Sequence, residues 1–399
     1  MTNQQILLHI TGPDYPGSLS KILKAIEQLE AKFVDVQQTT TLGQLSLSLL
    51  LETSVEKGIL LIKETTNVVR ELKLNISFHI LDSKEYKSVS QRRHMVLTML
   101  AESIPLSAFQ AVSEITGQLQ INIERMTRLA GDSLDCLEFY LALPDDEVSF
   151  ISAFREKLLD LAQQMSVDFS LQKENIYRRS KRLIVLDMDS TLIQQEVIDE
   201  IADFGGIKEE VAEITERAMR GEIDFKESLT ERVKLLKDIP LESLDKVLDR
   251  IELTPGAENL IRSLKKMGYK IAIISGGFSF FTRYFCEKYS LDSHHSNTLE
   301  VENGKLTGRV QGDIVDRKAK AEILKELAKR EQIPLDQTVA VGDGANDLDM
   351  LAAAGLGIAF NGKPTVRSQT SAYLNRPRLD FILYLLGVPQ VELDALENL

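Results

Sequence analysis

The stretch Leu183-Ile184-Val185-Leu186-Asp187-Met188-Asp189-Ser190-Thr191 decides how the chain folds. Four consecutive apolar residues suit a strand buried on both faces of a parallel sheet, where no polar alternation is needed. The run ends on Asp187 and Asp189, which places two carboxylates at the carboxyl edge of that sheet, the edge where open α/β folds bind ligands. Read as plain local structure, Asp189 and Ser190 would do no more than start a turn or cap a helix. Further apolar runs at residues 269–274, 338–341 and 357–360 alternate with helical segments. That alternation predicts an α/β, doubly wound parallel sheet over 182–399. Between the first two of these strands lies a charged, helix-rich insertion at about 193–253. It is too long for one connecting helix and is expected to form a cap over the strand ends.

Two other strand ends carry polar motifs. Ser275-Gly276-Gly277 follows the 269–274 run, and Gly342-Asp343-Gly344-Ala345-Asn346-Asp347 follows 338–341. A hydroxyl and glycine amides at a helix start outline a phosphate cradle. Asp187, Asp189, Asp343 and Asp347 would then crowd one edge, and four anions so placed repel one another unless a cation is present. Oxygen ligands beside a phosphate favour magnesium. Lys318 and Lys320 open a helix predicted over 319–330; residues two apart point in different directions, so one of them should face the site.

The amino-terminal half has another rhythm. Apolar and polar residues alternate over 4–10, the chain turns at Gly12-Pro13-Asp14-Tyr15-Pro16-Gly17, and helical spacing follows at Leu19, Ile22, Leu23, Ile26 and Leu29. Strands at 33–39 and 45–51, a helix within 55–72 and a strand at 75–81 complete a βαββαβ order. The order recurs from residue 93 to 171, predicting two tandem ferredoxin-like units at 1–83 and 92–172. Residues 82–92 and 173–182 read as connections.

Composition narrows the function classes. A chain of 399 residues exceeds what one core usually serves, and 43% apolar with 27% charged residues allows each domain a core. The net charge of −13 offers no field for a nucleic-acid backbone. No segment reaches the roughly 18–20 apolar residues that cross a bilayer, and Met1-Thr2-Asn3-Gln4-Gln5 lacks a basic start followed by an apolar run. A cytoplasmic protein without nucleic-acid or membrane partners is expected. Cys136 and Cys286 read as reduced core thiols, and His9, His79, His94, His294 and His295 show no metal-ligand spacing.

Asp187-x-Asp189-x-Thr191, Ser275, a lysine before the last motif, and Gly342-Asp343-Gly344-x-x-Asp347 resemble the haloacid-dehalogenase superfamily of phosphatases, over 182–386. Glu196, Met219, Phe225 and Arg232 in the cap, together with Ser275-Gly276-Gly277, resemble the substrate site of the phosphoserine phosphatases within it. The resemblance implies Mg²⁺-dependent hydrolysis of O-phospho-L-serine, the final step of serine biosynthesis, through an aspartyl-phosphate. Asp187 would be the nucleophile and Asp189 the acid and base; Asp187, the Asp189 carbonyl and Asp343 would hold magnesium. Ser275, Gly276 and a lysine, Lys320 by the family's spacing, would hold the phosphate. Asn346, Asp347 and Gly277 would complete the surroundings. Glu196 suits an α-ammonium and Arg232 an α-carboxylate, while Met219 and Phe225 would close an apolar lid.

The amino-terminal units resemble ACT domains, regulatory modules that bind amino acids and pair across a homodimer. Asp14 and Gly17 mark the expected effector turn of the first. The second departs from the pattern, with Glu102-Ser103-Ile104-Pro105-Leu106 where glycines should stand. Two other readings stay open: a phosphatase for another small phosphomonoester such as phosphothreonine or a sugar phosphate, and an inactive amino-acid-binding regulator.

Overall fold

The alternation at the amino terminus folds as its period dictates. In the computed structural model, which describes residues 3–27, 29–81, 93–131, 134–144 and 148–398, the chain forms two compact units, Met1–Arg92 and Arg93–Leu399. The first runs β1 (Asn3–Pro13), α1 (Ser18–Glu27), β2 (Lys32–Thr41), β3 (Gln44–Ser54), α2 (Val55–Glu71) and β4 (Asn75–Leu81). Its antiparallel sheet has the order β2-β3-β1-β4. Ile6, Leu8 and Ile10 of β1 and Leu45, Leu47, Leu49 and Leu51 of β3 point to one face, where Ile22, Ile26, Leu61 and Val69 of the helices cover them. The period of two in the strands and of three to four in the helices meets in one core. Helix α2 starts on Ser54, whose Oγ accepts the Lys57 N–H at 3.4 Å.

The second unit opens with the same motif: β5 (Arg93–Ala101), α3 (Leu106–Gln118), β6 (Asn122–Ala130), β7 (Asp135–Leu143), α4 (Val148–Met165) and β8 (Asp168–Lys173). Its strands do not form a separate sheet. Among the described residues one sheet of eleven strands runs β12 (Lys305–Gln311), β11 (Ser293–Glu302), β10 (Lys270–Phe278), β9 (Leu183–Leu186), β13 (Thr338–Gly342), β14 (Leu356–Phe360), β15 (Ala372–Leu374) and then β8-β5-β7-β6. The join is short: β15 (Ala372–Leu374) meets β8 antiparallel at Ala372 and Ser170, and the Leu171 N–H donates to the Ser371 carbonyl at 2.9 Å. The stretch between the repeat and β9 (Leu183–Leu186) is largely exposed but anchored by two buried residues, Arg178 and Lys181. Within it Arg178 is 2% exposed, held by Glu138 at 2.7 Å and Glu174 at 2.8 Å. The segment 82–92 lies outside the described residues.

Strand β9 lies between β10 (Lys270–Phe278) and β13 (Thr338–Gly342), parallel to both. Its residues serve two cores in turn. Ile184 and Leu186 pack on one face with Leu260, Ile261 and Leu264 of a helix at Ala257–Lys266. Leu183 and Val185 pack on the other with Leu324 and Leu327. This double burial is why the strand reads as an unbroken apolar run. β14 (Leu356–Phe360) continues the parallel set, and β11 (Ser293–Glu302) with β12 (Lys305–Gln311) adds a hairpin at the far edge. The cap helices are α5 (Val197–Gly205), α6 (Lys208–Met219), α7 (Phe225–Leu235) and α8 (Ser243–Leu248). Ile193 and Leu253 face each other in an isolated antiparallel bridge, so the chain leaves and re-enters the sheet domain at one place.

Candidate active site

Asp187 directly follows β9, and its N–H donates to the Val341 carbonyl at 2.9 Å, holding it level with the end of β13. The chain then makes one turn over Met188–Leu192, with Ser190 in the left-handed region at φ 55°. That conformation is costly for a residue with a β-carbon, and here the Ser190 hydroxyl donates to Glu196 Oε1 at 2.8 Å. The turn sends the two carboxylates in different directions. Asp187 Oδ1 accepts the Met188 N–H at 2.7 Å, and Oδ2 accepts from Lys320 Nζ at 2.7 Å. Asp189 Oδ1 accepts the Val197 N–H, at the start of α5, at 2.8 Å, and Oδ2 accepts from Ser275 Oγ at 3.1 Å. One of the free N–H groups at a helix start thereby ties Asp189 to the cap.

Lys320 comes from the helix Arg317–Arg330, which starts on Asp316, whose Oδ1 accepts the Ala319 N–H at 2.9 Å. It is wholly buried and donates both to Asp187 and to Asp347 Oδ1, each at 2.7 Å. Lys318 points to solvent. Asp347 also accepts the Gly344 N–H at 3.0 Å, closing the loop after β13. Thr191 Oγ1 donates to Asp343 Oδ1 at 3.4 Å. Ser275 Oγ accepts the Gly277 N–H at 2.8 Å.

A cavity of about 610 Å³ opens between this edge and the cap. Asp187, Asp189, Asp343, Gly276, Gly277 and Asn346 line it from the sheet side, and Glu196, Phe225 and Arg232 from the cap. The Phe225 ring closes on Gly276, where an added Cβ would sit 3.1 Å from Phe225 Cζ. Lys226 reaches Asp316 at 3.0 Å, a second link from cap to core. Met219 ends α6, and its side chain lies outside the described residues. Arg317, Lys363 and Thr365 also line the cavity, and sequence reasoning missed all three. It also gave Thr191 no role of its own, although its place in Asp187-x-Asp189-x-Thr191 was the signal. Asp14 and Gly17 sit in the exposed turn of the first unit; Asp14 accepts from Thr40 Oγ1 at 3.2 Å and Gly17 has φ 88°.

The electrostatics are those of an anion cluster short of positive charge. Burial, and then Asp347, push Asp187 well above the usual carboxylate range. Burial and Glu196 raise Asp189 to about 7, and burial and Asp347 raise Asp343 to about 7. Burial alone would depress the Lys320 ammonium, yet Asp187 and Asp347 outweigh it and hold it charged. One ammonium thus serves several buried carboxylates. Oxygens of Asp187, Asp343 and Asp347 lie within 4.8 Å of one another, and this all-oxygen set fits a small divalent cation. The arrangement places a carboxylate at a strand end, a second carboxylate of raised pKa and two glycines around one space, with the Ser275 hydroxyl and the Lys320 ammonium bonded directly behind the carboxylates. That set can perform phosphoryl transfer.

Comparison with known proteins agrees with this chemistry. The model of haloacid dehalogenase-like hydrolases matches residues 181–355, and that of the ACT domain residues 4–79. A phosphoserine phosphatase of Streptomyces coelicolor is 39% identical over 394 residues, covering 99% of this chain and 95% of its own. Another from Mycobacterium tuberculosis is 38% identical, covering 98% and 95%. The crystal structure of a probable phosphoserine phosphatase from Vibrio cholerae is 37% identical over 76% of this chain and 89% of its own, with a TM-score of 0.57. The chain belongs to the phosphoserine phosphatase family of haloacid dehalogenase-like hydrolases, with an ACT domain at its amino terminus.

Proposed function

We propose that the chain hydrolyses O-phospho-L-serine to L-serine and phosphate, with Asp187 as nucleophile and Asp189 as acid and base. The observation that carries the reading is the divergence of the two carboxylates. Asp187 is anchored by Lys320 and faces the cavity, while Asp189 is turned to Ser275 and the cap helix. In the first half-reaction an Asp187 oxygen bonds to phosphorus, the bond from phosphorus to the serine oxygen breaks, and Asp189 gives that oxygen its proton. A carboxyl held near 7 can carry this proton at neutral pH. In the second, Asp189 takes a proton from water as the water oxygen bonds to phosphorus and the bond to Asp187 breaks. Ser275, the Gly276 and Gly277 amides and Lys320 would hold the non-bridging oxygens.

Magnesium, held by Asp187, Asp343 and the Asp189 carbonyl with Asp347 alongside, would neutralise the repulsion between an anionic nucleophile and an anionic phosphate. Glu196 and Arg232 stand on the same cavity wall. Arg232 is half-buried, and its Nε has a long 3.4 Å contact to the Ser228 carbonyl. Burial lowers its pKa while Glu196, Asp199 and Asp189 draw it back. A guanidinium so placed suits an α-carboxylate, which a sugar phosphate lacks. Asn346, Gly277 and Asp347 support this site, and Met219 and Phe225 are read as its lid.

The functional divisions are 1–83, 92–172 and 182–399. The first would sense an amino acid at the Asp14–Gly17 turn, with two chains paired as a homodimer in the cytoplasm. Phosphate release from phosphoserine, phosphothreonine and sugar phosphates, with and without magnesium, tests the reading. Selective magnesium-dependent turnover of phosphoserine is expected, and equal turnover of a sugar phosphate would overturn the assignment of substrate.

A further inference from the structure

A second cavity, of about 370 Å³, lies on the rim of the sheet opposite the active site. Asp336, two residues before β13, and Gly355, directly before β14, belong to its wall, so it sits at the amino ends of these strands, opposite the end of β13 that carries Asp343. Helix α4 of the second repeat supplies the facing wall through Ile151, Ser152 and Arg155. The cavity therefore spans the seam between repeat and sheet domain within one compact unit.

Its charge is unbalanced. Arg155, Lys173, Arg178 and Lys181 line it against a single acidic residue, Asp336. Arg178 is neutralised by Glu138 and Glu174. Lys181 is 7% exposed, and its Nζ donates to the main-chain carbonyl of Asp336 at 2.6 Å. Among the described residues no carboxylate stands at ion-pair distance from it. Burial lowers its pKa to about 8, with Asp336 pulling it up and Arg178 pushing it down. Arg155 lacks an ion pair among the described residues, and its buried Nε has no acceptor. A desolvated guanidinium N–H is costly to leave unmet, and two cations without a carboxylate partner on opposite sides of one cavity call for an anion with several oxygens.

We propose that this cavity binds a small dianion, a phosphate monoester or a dicarboxylate, with Arg155 and Lys181 as its charged contacts. Its volume admits an organic body beyond the oxyanion itself. A ligand there ties helix α4 to Lys181, two residues before the strand that leads to Asp187.

Calorimetric titration of the metal-free full chain with inorganic phosphate, glycerol 3-phosphate and succinate tests this, beside the variants Arg155→Ala and Ser152→Asp. The second variant supplies the cavity with its own carboxylate. One binding phase should weaken roughly ten- to hundredfold in Arg155→Ala, the loss expected for a charge-assisted contact, and vanish in Ser152→Asp. Far-ultraviolet circular dichroism of both variants without added dianion should match the parent, showing that both fold. A response to the phosphates alone, or to succinate alone, assigns the ligand chemistry. Titrations of both variants that superimpose on the parent for all three probes would overturn the proposal.

Discussion

Lys320 shows how one side chain orders a site that four carboxylates would otherwise push apart. A buried ammonium with two carboxylates at 2.7 Å is held by charges that its own burial opposes. Its replacement by Met should abolish turnover and lower the melting temperature, with stability partly regained in acid as Asp187, whose carboxyl burial already raises, takes up a proton. Asp187→Asn should leave no measurable turnover in a folded protein. Asp189→Asn should cost roughly 10²–10⁴-fold, the usual share of a positioned acid and base. Arg232→Ala should reduce kcat/KM for phosphoserine roughly tenfold or more while leaving an aryl phosphate nearly untouched. Equal losses would remove Arg232 from the carboxylate contact. The raised carboxyls set a pH dependence as well. Asp189 and Asp343 sit near 7 in the fold against 3.8 ordinarily, so the folded state binds their protons more tightly. Their favourable contribution is complete below about 4 and is lost as pH rises through 7. A divalent cation takes the ionised form of Asp343, so its gain in melting temperature should be larger at pH 8 than at pH 5. Equal gains would place the cation elsewhere. The aspartates were legible from their spacing after apolar strands. The sharing of Lys320 between Asp187 and Asp347 was not, because it depends on a helix far along the chain.

At the scale of elements, the cap and the glycine loop work against each other across the cavity. The cap joins the sheet domain at Ile193 and Leu253 and reaches back through Phe225, which Gly276 admits because it has no side chain. At Gly277 an added Cβ would meet Asp189 Oδ2 at 2.4 Å and Ser275 Oγ at 3.1 Å. Gly277→Ala should therefore cut kcat by displacing Asp189, with little change in melting temperature; unchanged kinetics would show that Asp189 has room to move. The parallel strands were legible because burial on both faces leaves unbroken apolar runs such as Leu183–Leu186 and Leu356–Phe360. The edge hairpin was not. β11 begins Ser293-His294-His295-Ser296-Asn297, a polar run that hides a strand, and the signal that could have found it is Asn303-Gly304. Both adopt positive φ, 53° and 74°, in the turn to β12, as a tight hairpin requires.

At the scale of the molecule, the second repeat is part of the structure that carries the site. Leu97, Met99 and Phe139 of the repeat share a core with Val185 and Ala340 of the sheet domain, and Arg376 pairs with the buried Asp168 at 3.2 Å. Local periodicity predicted both βαββαβ units but could not show this continuity, which comes from residues distant in sequence, in the shared core and in the strand pair between Ala372 and Ser170. A chain of residues 93–399 should fold and retain phosphatase activity. One starting near Tyr177 keeps every candidate catalytic residue, yet it bares the β15 edge and the apolar face beneath it; it should aggregate or melt well below the longer chain. Melting temperatures that coincide would show the repeat to be dispensable for stability. If the first repeat senses serine, residues 93–399 should also lose any serine inhibition beyond product competition. The central claim is that Asp187 carries the phosphoryl group. Rapid acid quench of the enzyme turning over phosphoserine labelled in its phosphate, followed by peptide mapping, tests it most directly. The label should appear on Asp187, at most one per chain, and be absent from Asp187→Asn; label on another residue, or full turnover with no labelled protein, would contradict it.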